Sequence, residues 1–153
     1  MFLLLKSVYL YSVALWVGAL FFFTAVGAPM AFKVLKKEDA GKYTGAVFPK
    51  YFGLGYIFGL LSLVSFYFLT KESMNFISSV NLLLLLLMNL FNFVNGLLIV
   101  PKAGLLKAEF YRSNDRSYYD KFLKLHAVSM ALNGITVILG LMVVGITSLY
   151  LTF

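Results

Sequence analysis

The chain has no cysteine and no glutamine, one histidine, three prolines, and only 12% charged residues among its 153. Each scarcity excludes something. Without cysteine there is no disulfide, no zinc–thiolate site, no iron–sulfur cluster and no thiol nucleophile. One histidine excludes a His-pair or His-triad metal site within a single chain. So little charge excludes a water-soluble globule, which carries about 25% charged and about 45–50% apolar residues; here 61% are hydrophobic and the mean hydropathy is +0.91. The same apolar surplus excludes disorder. Missing glutamine, with eleven lysines to two arginines, leans toward a heat-adapted composition.

What is present is length of apolar chain. A helix rises about 1.5 Å per residue, so about 20 apolar residues cross a hydrocarbon core of about 30 Å. Four stretches qualify, over about 7–32, 48–69, 80–100 and 125–153, the last within an expected span of about 118–152. Six consecutive leucines, Leu82 to Leu87, lie in the third. A β-barrel is excluded because its strands alternate over about ten residues. The first apolar run is about twice the usual signal-peptide core and is preceded by one lysine, which argues against a cleaved leader. The expected fold is an all-α membrane protein, a four-transmembrane-helix bundle running up-down-up-down, in one domain over 1–153.

Charge fixes the expected orientation. Eleven basic residues flank the first and third connections, whereas Lys6 and Lys71 are the two on the opposite side. Basic connections stay in the cytoplasm, so both termini are expected on the non-cytoplasmic side, in a bacterial inner membrane. The net charge of +7 is then a matter of topology and of attraction to anionic lipid. Nucleic acid is not an expected partner, because no soluble basic face with interleaved aromatics exists.

Between the spans, Lys36 to Lys42 reads as a short polar loop. Leu105, Leu106, Glu109 and Phe110 recur at helical spacing, so about 103–112 reads as an amphipathic helix on the membrane surface. Ser113, Asn114 and Asp115 break it. Ser117 with Asp120 three residues on resembles a capping box, which starts the last helix near Tyr118. Pro29, Pro49 and Pro101 fall near the ends of spans, where proline is cheapest.

Polar residues at membrane depth are the informative ones. At 100° per residue, Asn81, Asn89, Asn92 and Asn95 share an arc of about 120°. His126, Ser129, Asn133, Thr136, Gly140 and Thr147 fall within about 80° on the last span. Such stripes must face the interior, either as glue between helices or as the lining of a polar cavity. The expected cluster is Asn89, Asn92, Asn95, His126, Ser129 and Asn133. Asn95, His126 and Ser129 are placed near one leaflet, and Asn133 deeper, against Asn89 or Asn92. Gly55 and Gly59 form a close-packing face, and Trp16, in mid-span, is expected inside. His126 with Met130 one turn on offers two ligands for copper or haem iron. No cofactor is otherwise indicated. Buried acids and an activated serine are both missing, which argues against hydrolysis and against carboxylate-coupled transport.

Local patterns recur in order along the chain: Trp16-Val17-Gly18, then Ala28-Pro29-Met30-Ala31-Phe32, then Val47-Phe48-Pro49-Lys50-Tyr51-Phe52. Asn95 through Pro101-Lys102 follows, and last comes Leu125-His126-Ala127-Val128-Ser129 with Leu132-Asn133. Together they resemble the transmembrane protein 205-like family, a four-helix membrane domain of unknown function. The resemblance implies four helices and singles out Trp16, Phe48, Pro49 and Pro101 beside the polar cluster, without assigning any a catalytic role. More distantly the pattern is similar to copper-resistance inner-membrane proteins and four-helix protoporphyrinogen oxidases, whose additional histidines this chain lacks. Three functions stay open. The first is a membrane protein handling a small molecule or metal ion, with possible transport, as a homo-oligomer. The second is a non-catalytic accessory subunit of a larger membrane complex, for example a respiratory one. The third is a haem- or porphyrin-binding protein using His126.

Overall fold

Residues 1–150 are described by a computed structural model, the last of them by its backbone alone; positions 151 and 152 of the expected fourth span lie outside this range. Among the described residues there are four long helices and no strand: α1 Phe2–Val34, α2 Lys37–Thr70, α3 Phe76–Ser113 and α4 Arg116–Tyr150. The first three are 33, 34 and 38 residues long. At about 1.5 Å per residue each is about 50 Å or more, well beyond a hydrocarbon core of about 30 Å. All four are long and apolar enough to cross a membrane.

The extra length comes from connections that are themselves helical. Residues 37–42, expected as a loop, form the first turns of α2. Glu38 and Asp39 sit where a helix N-terminus favours negative charge, Lys42 meets Glu38 at 2.7 Å one turn on, and Ala40 and Thr44 are buried beneath. The helix expected on the membrane surface at 103–112 is instead the last part of α3, running unbroken to Ser113 and packed along α4. Ala103 is buried in that packing and Leu106 and Phe110 are partly covered, while Leu105 stays on the outer face.

The turns that remain are tight. Asn75 caps α3 in a reciprocal box, its Oδ1 accepting from the Ser78 N–H at 3.0 Å while its own N–H donates to Ser78 Oγ at 2.8 Å. Asn114 closes α3 in the left-handed region at φ 56°, a conformation asparagine tolerates. Asp115, not Ser117, caps α4: its Oδ1 accepts from the Ser117 N–H at 2.8 Å. The helix therefore begins at Arg116, slightly before the expected Tyr118.

Two of the prolines are met by the same device. Pro29 follows a π-helical turn at Phe23–Gly27, and Pro101 falls just after another at Val94–Ile99. Proline lacks an N–H and its ring clashes with the carbonyl four residues back; a wider i→i+5 turn relieves that clash within a continuing helix. Pro49, expected near a span end, instead lies inside α2, because the helix already starts at Lys37.

Each helix packs on its sequence neighbours, and α1 also packs on α4, closing the ring. Tyr9, Trp16, Phe66, Leu85, Met88 and Val143 are the buried centre. The leucine run divides accordingly: Leu84 and Leu85 are buried, while Leu83 and Leu86 lie on the outer face.

Candidate functional site

The polar stripes resolve into hydrogen bonds that join helices. On α3, Asn89 donates from Nδ2 to the Gly59 carbonyl at 3.1 Å and to the Leu85 carbonyl at 2.9 Å. Asn92 reaches the Phe52 carbonyl at 3.4 Å. Both therefore face α2, where the expectation had them against α4. The reason is steric: a Cβ at Gly55 would come within 2.6 Å of the Asn92 amide, and one at Gly59 within 2.5 Å of Asn89 Oδ1. Glycine on α2 makes room for each carboxamide, and Gly96 on α3 returns the arrangement by admitting Phe52 and Tyr56. Asn95 does face α4, donating to the Ser129 carbonyl at 3.0 Å. Asn133 meets neither Asn89 nor Asn92. Its Oδ1 accepts from the Tyr51 hydroxyl at 2.6 Å and its Nδ2 donates to Thr24 Oγ1 at 2.7 Å, tying α4 to α2 and α1. At the far end Asn81 donates to the Tyr9 hydroxyl at 2.9 Å, which also meets Thr147 Oγ1 at 2.7 Å.

Trp16 is buried at 1% exposure, beside Gly59. Phe48 joins an aromatic group with Phe23, Tyr51 and Phe52, at centroid distances of 5.7, 6.4 and 6.0 Å respectively. His126 and Met130 part company: His126 is half-buried and stacks on Phe122 at 5.6 Å, while Met130 is 57% exposed on the outer surface. No group of three or more His, Cys, Asp or Glu side chains gathers among the described residues.

A larger open space lies beside the polar cluster. A cleft of about 870 Å³ opens between the start of α2, the end of α3 and the start of α4. His126 and Ser129 line it, as do Phe48 and Pro49. The rest of its wall includes Lys37, expected in a loop, Phe110, expected on a surface helix, and Lys107, Tyr119 and Phe122, which the sequence gives no reason to place at a site. Phe110, Tyr119, Phe122 and His126 form a continuous ring ladder, with successive centroids 5.0, 5.9 and 5.6 Å apart. Gly45 and Gly104 leave open space where side chains would otherwise stand. Lys107 crosses the cleft, its Nζ 5.8 Å from the Phe122 ring centre and 3.3 Å from where a Cβ on Gly41 would lie.

The cleft mixes aromatic wall, lysine ammonium, imidazole and the single Glu38 carboxylate. With this geometry in hand, the chain's relatives can be placed. The profile of a domain of unknown function, DUF4149, matches residues 11–112. The chain belongs to the DUF4149 family. The DUF4149 stretch takes in most of α1, all of α2 and nearly all of α3, with Phe48, Asn95 and Lys107, and ends before α4 with His126, Ser129 and Asn133. A relative from Aquifex aeolicus (strain VF5), described as an uncharacterized protein, is 40% identical over 112 residues, 73% of each chain. No solved structure matches.

Proposed function

We propose that this DUF4149 protein is a multi-pass membrane protein that binds an amphipathic small molecule in the cleft between α2, α3 and α4. The observation that carries the reading is the cleft itself. Its volume, about 870 Å³, falls in the range of ligand pockets, about 300–1,000 Å³, and its wall grades from aromatic to charged. The polar stripes support this by elimination: their asparagines are held in helix–helix bonds around close-packed glycines, the work of structural glue. A cleft of this size within one chain removes the need for a second copy to enclose a site. The basic ends of the helices support a position for it at the cytoplasmic face of a bacterial inner membrane.

Gly45→Leu tests the proposal. It fills the cleft from a position with nothing within 4 Å of the added Cβ and improves helix propensity, so folding is expected to survive. Native mass spectrometry of protein released from detergent is expected to show a co-purifying adduct, one per chain, that the variant loses. Identical adducts on both proteins overturn the reading.

A further inference from the structure

We infer that the occupant of the cleft is a phospholipid with a net negative headgroup, its phosphate held by Lys107 and its acyl chain laid against the aromatic wall. This rests on the cleft being a binding site, and goes beyond it by naming the class of ligand. The first support is the disposition of carboxylates. The chain has six acidic residues, and each is already engaged. Glu38 and Asp39 meet Lys42 at 2.7 and 3.9 Å. Glu72 meets Lys71 at 3.6 Å, Glu109 meets Arg112 at 2.8 Å and Asp120 meets Arg116 at 3.8 Å. Asp115 caps α4 through Ser117 at 2.8 Å. Neither Lys37 nor Lys107, both on the cleft wall, joins an ion pair among the described residues, and the His126 imidazole makes no hydrogen bond there.

Lys107 is also half-buried. Its ammonium has the Phe122 ring face 5.8 Å away and only the longer-range field of Glu38, with no carboxylate in contact, so an anion arriving beside it gains a direct ionic partner. Glu38, which shares the wall, is turned to Lys42 and leaves the local balance positive.

The second support is the gradient along the cleft. Phe32, Phe48, Pro49, Val100 and Ser129 line the part that runs into the apolar spans; Lys37 and Lys107 stand at the end that projects beyond them. A molecule matching both ends has an apolar chain and an anionic head, and the bilayer supplies such molecules at the depth where this boundary falls. Free phosphate has the right charge but leaves the aromatic part unfilled.

Native mass spectrometry of delipidated protein, titrated in detergent with dioleoylphosphatidylglycerol or dioleoylphosphatidylcholine, decides the matter. One phosphatidylglycerol is expected to be retained per chain, at least tenfold more tightly than phosphatidylcholine. Lys107→Met is expected to lose at least tenfold in that affinity. Lys107→Arg is expected to restore it, and Lys102→Met, an exposed lysine off the cleft wall, to change it less than twofold. Restoration by Arg separates lost charge from damaged packing. Equal retention of the two lipids, or no effect of Lys107→Met while Gly45→Leu still blocks both, overturns the anionic class and leaves the cleft reading standing. Retention unaffected by Gly45→Leu overturns both. Displacement of phosphatidylglycerol by millimolar inorganic phosphate, with phosphate alone raising the melting temperature, assigns the site to the free anion and overturns the lipid.

Discussion

Gly53 and Gly59 lie six residues apart on α2 and meet opposite surroundings. A Cβ on Gly53 has nothing within 4 Å, whereas one on Gly59 falls 2.5 Å from Asn89 Oδ1 and 3.0 Å from the Trp16 ring. Asn89 cannot swing aside without giving up its two carbonyl partners, and Trp16 is enclosed. Gly59→Ala is therefore expected to destabilise the protein by about 1–3 kcal/mol, as overpacking does, while Gly53→Ala leaves stability unchanged or raises it by about 0.5–1 kcal/mol through helix propensity. Thermal unfolding of the two variants in one detergent checks the opposite signs. A second contrast sets Asn133 against His126. Asn133→Ala removes the acceptor of the buried Tyr51 hydroxyl and the donor to Thr24, and is expected to cost about 1–2 kcal/mol. His126→Ala breaks no hydrogen bond among the described residues and is expected to cost less than about 0.5 kcal/mol. If His126→Ala proves the more damaging of the two, the imidazole is structural and the cleft loses a free polar group. At this scale the sequence showed which residues turn inward, because an amide in a leucine-rich helix has nowhere else to go. Partners were partly legible too. Gly55 and Gly59 recur on nearly the same pitch as Asn92 and Asn89, in reverse order, as antiparallel neighbours require, and that match between α2 and α3 outweighed the polar stripe on α4.

Continuity through proline is the property that belongs to the elements. Composition alone marks Pro29 and Pro101 as span ends; the helices pass through both because a π-helical turn precedes each. Such a turn holds one residue more than an α-turn, a phase change of about 100° for everything beyond it. In α3 that change carries Ala103 and Lys107 onto the side facing α2 and α4. Pro101→Ala removes the reason for the wider turn, and the regular helix is expected to re-form with Lys107 turned away from Gly41. Cysteines at positions 41 and 107 in this cysteine-free chain measure it. A short bis-maleimide is expected to bridge them efficiently with Pro101 present and several-fold less in Pro101→Ala. Equal yields mean that packing on α4, not the proline, sets the phase. Proline alone does not announce this turn in the sequence, since Pro29 and Pro101 follow one while Pro49 lies in a regular stretch of α2. The helical form of 37–42 was closer to legible. Acidic residues lead, a lysine follows one turn on, and Ala40 and Thr44 fall on one face, but the density of charge masked that short pattern.

At the scale of the whole molecule, the cleft is a property of assembly. Its wall comes from α2, α3 and α4, each extended well past the hydrocarbon core, so residues far apart in the chain meet only once the bundle has formed. Lys107 and Gly41 are the plainest case. The four spans, by contrast, follow from apolar length alone and needed no tertiary information. Orientation joins the two levels, because the up-down ring brings the first and third connections to one end of the bundle. That end carries eleven basic residues against five acidic ones, with Lys6 and Lys71 facing Glu72 at the other. Basic flanks are retained on the cytoplasmic side during insertion, so a reporter fused after Phe153 is expected to be active as alkaline phosphatase and dark as a cytoplasmic fluorescent protein. A fusion in the turn at 114–115 is expected to behave in the reverse way. The opposite pair of results inverts the bundle, places the cleft at the outer face of the membrane, and takes from Lys107 the negatively charged cytoplasmic leaflet on which the choice of an anionic lipid depends.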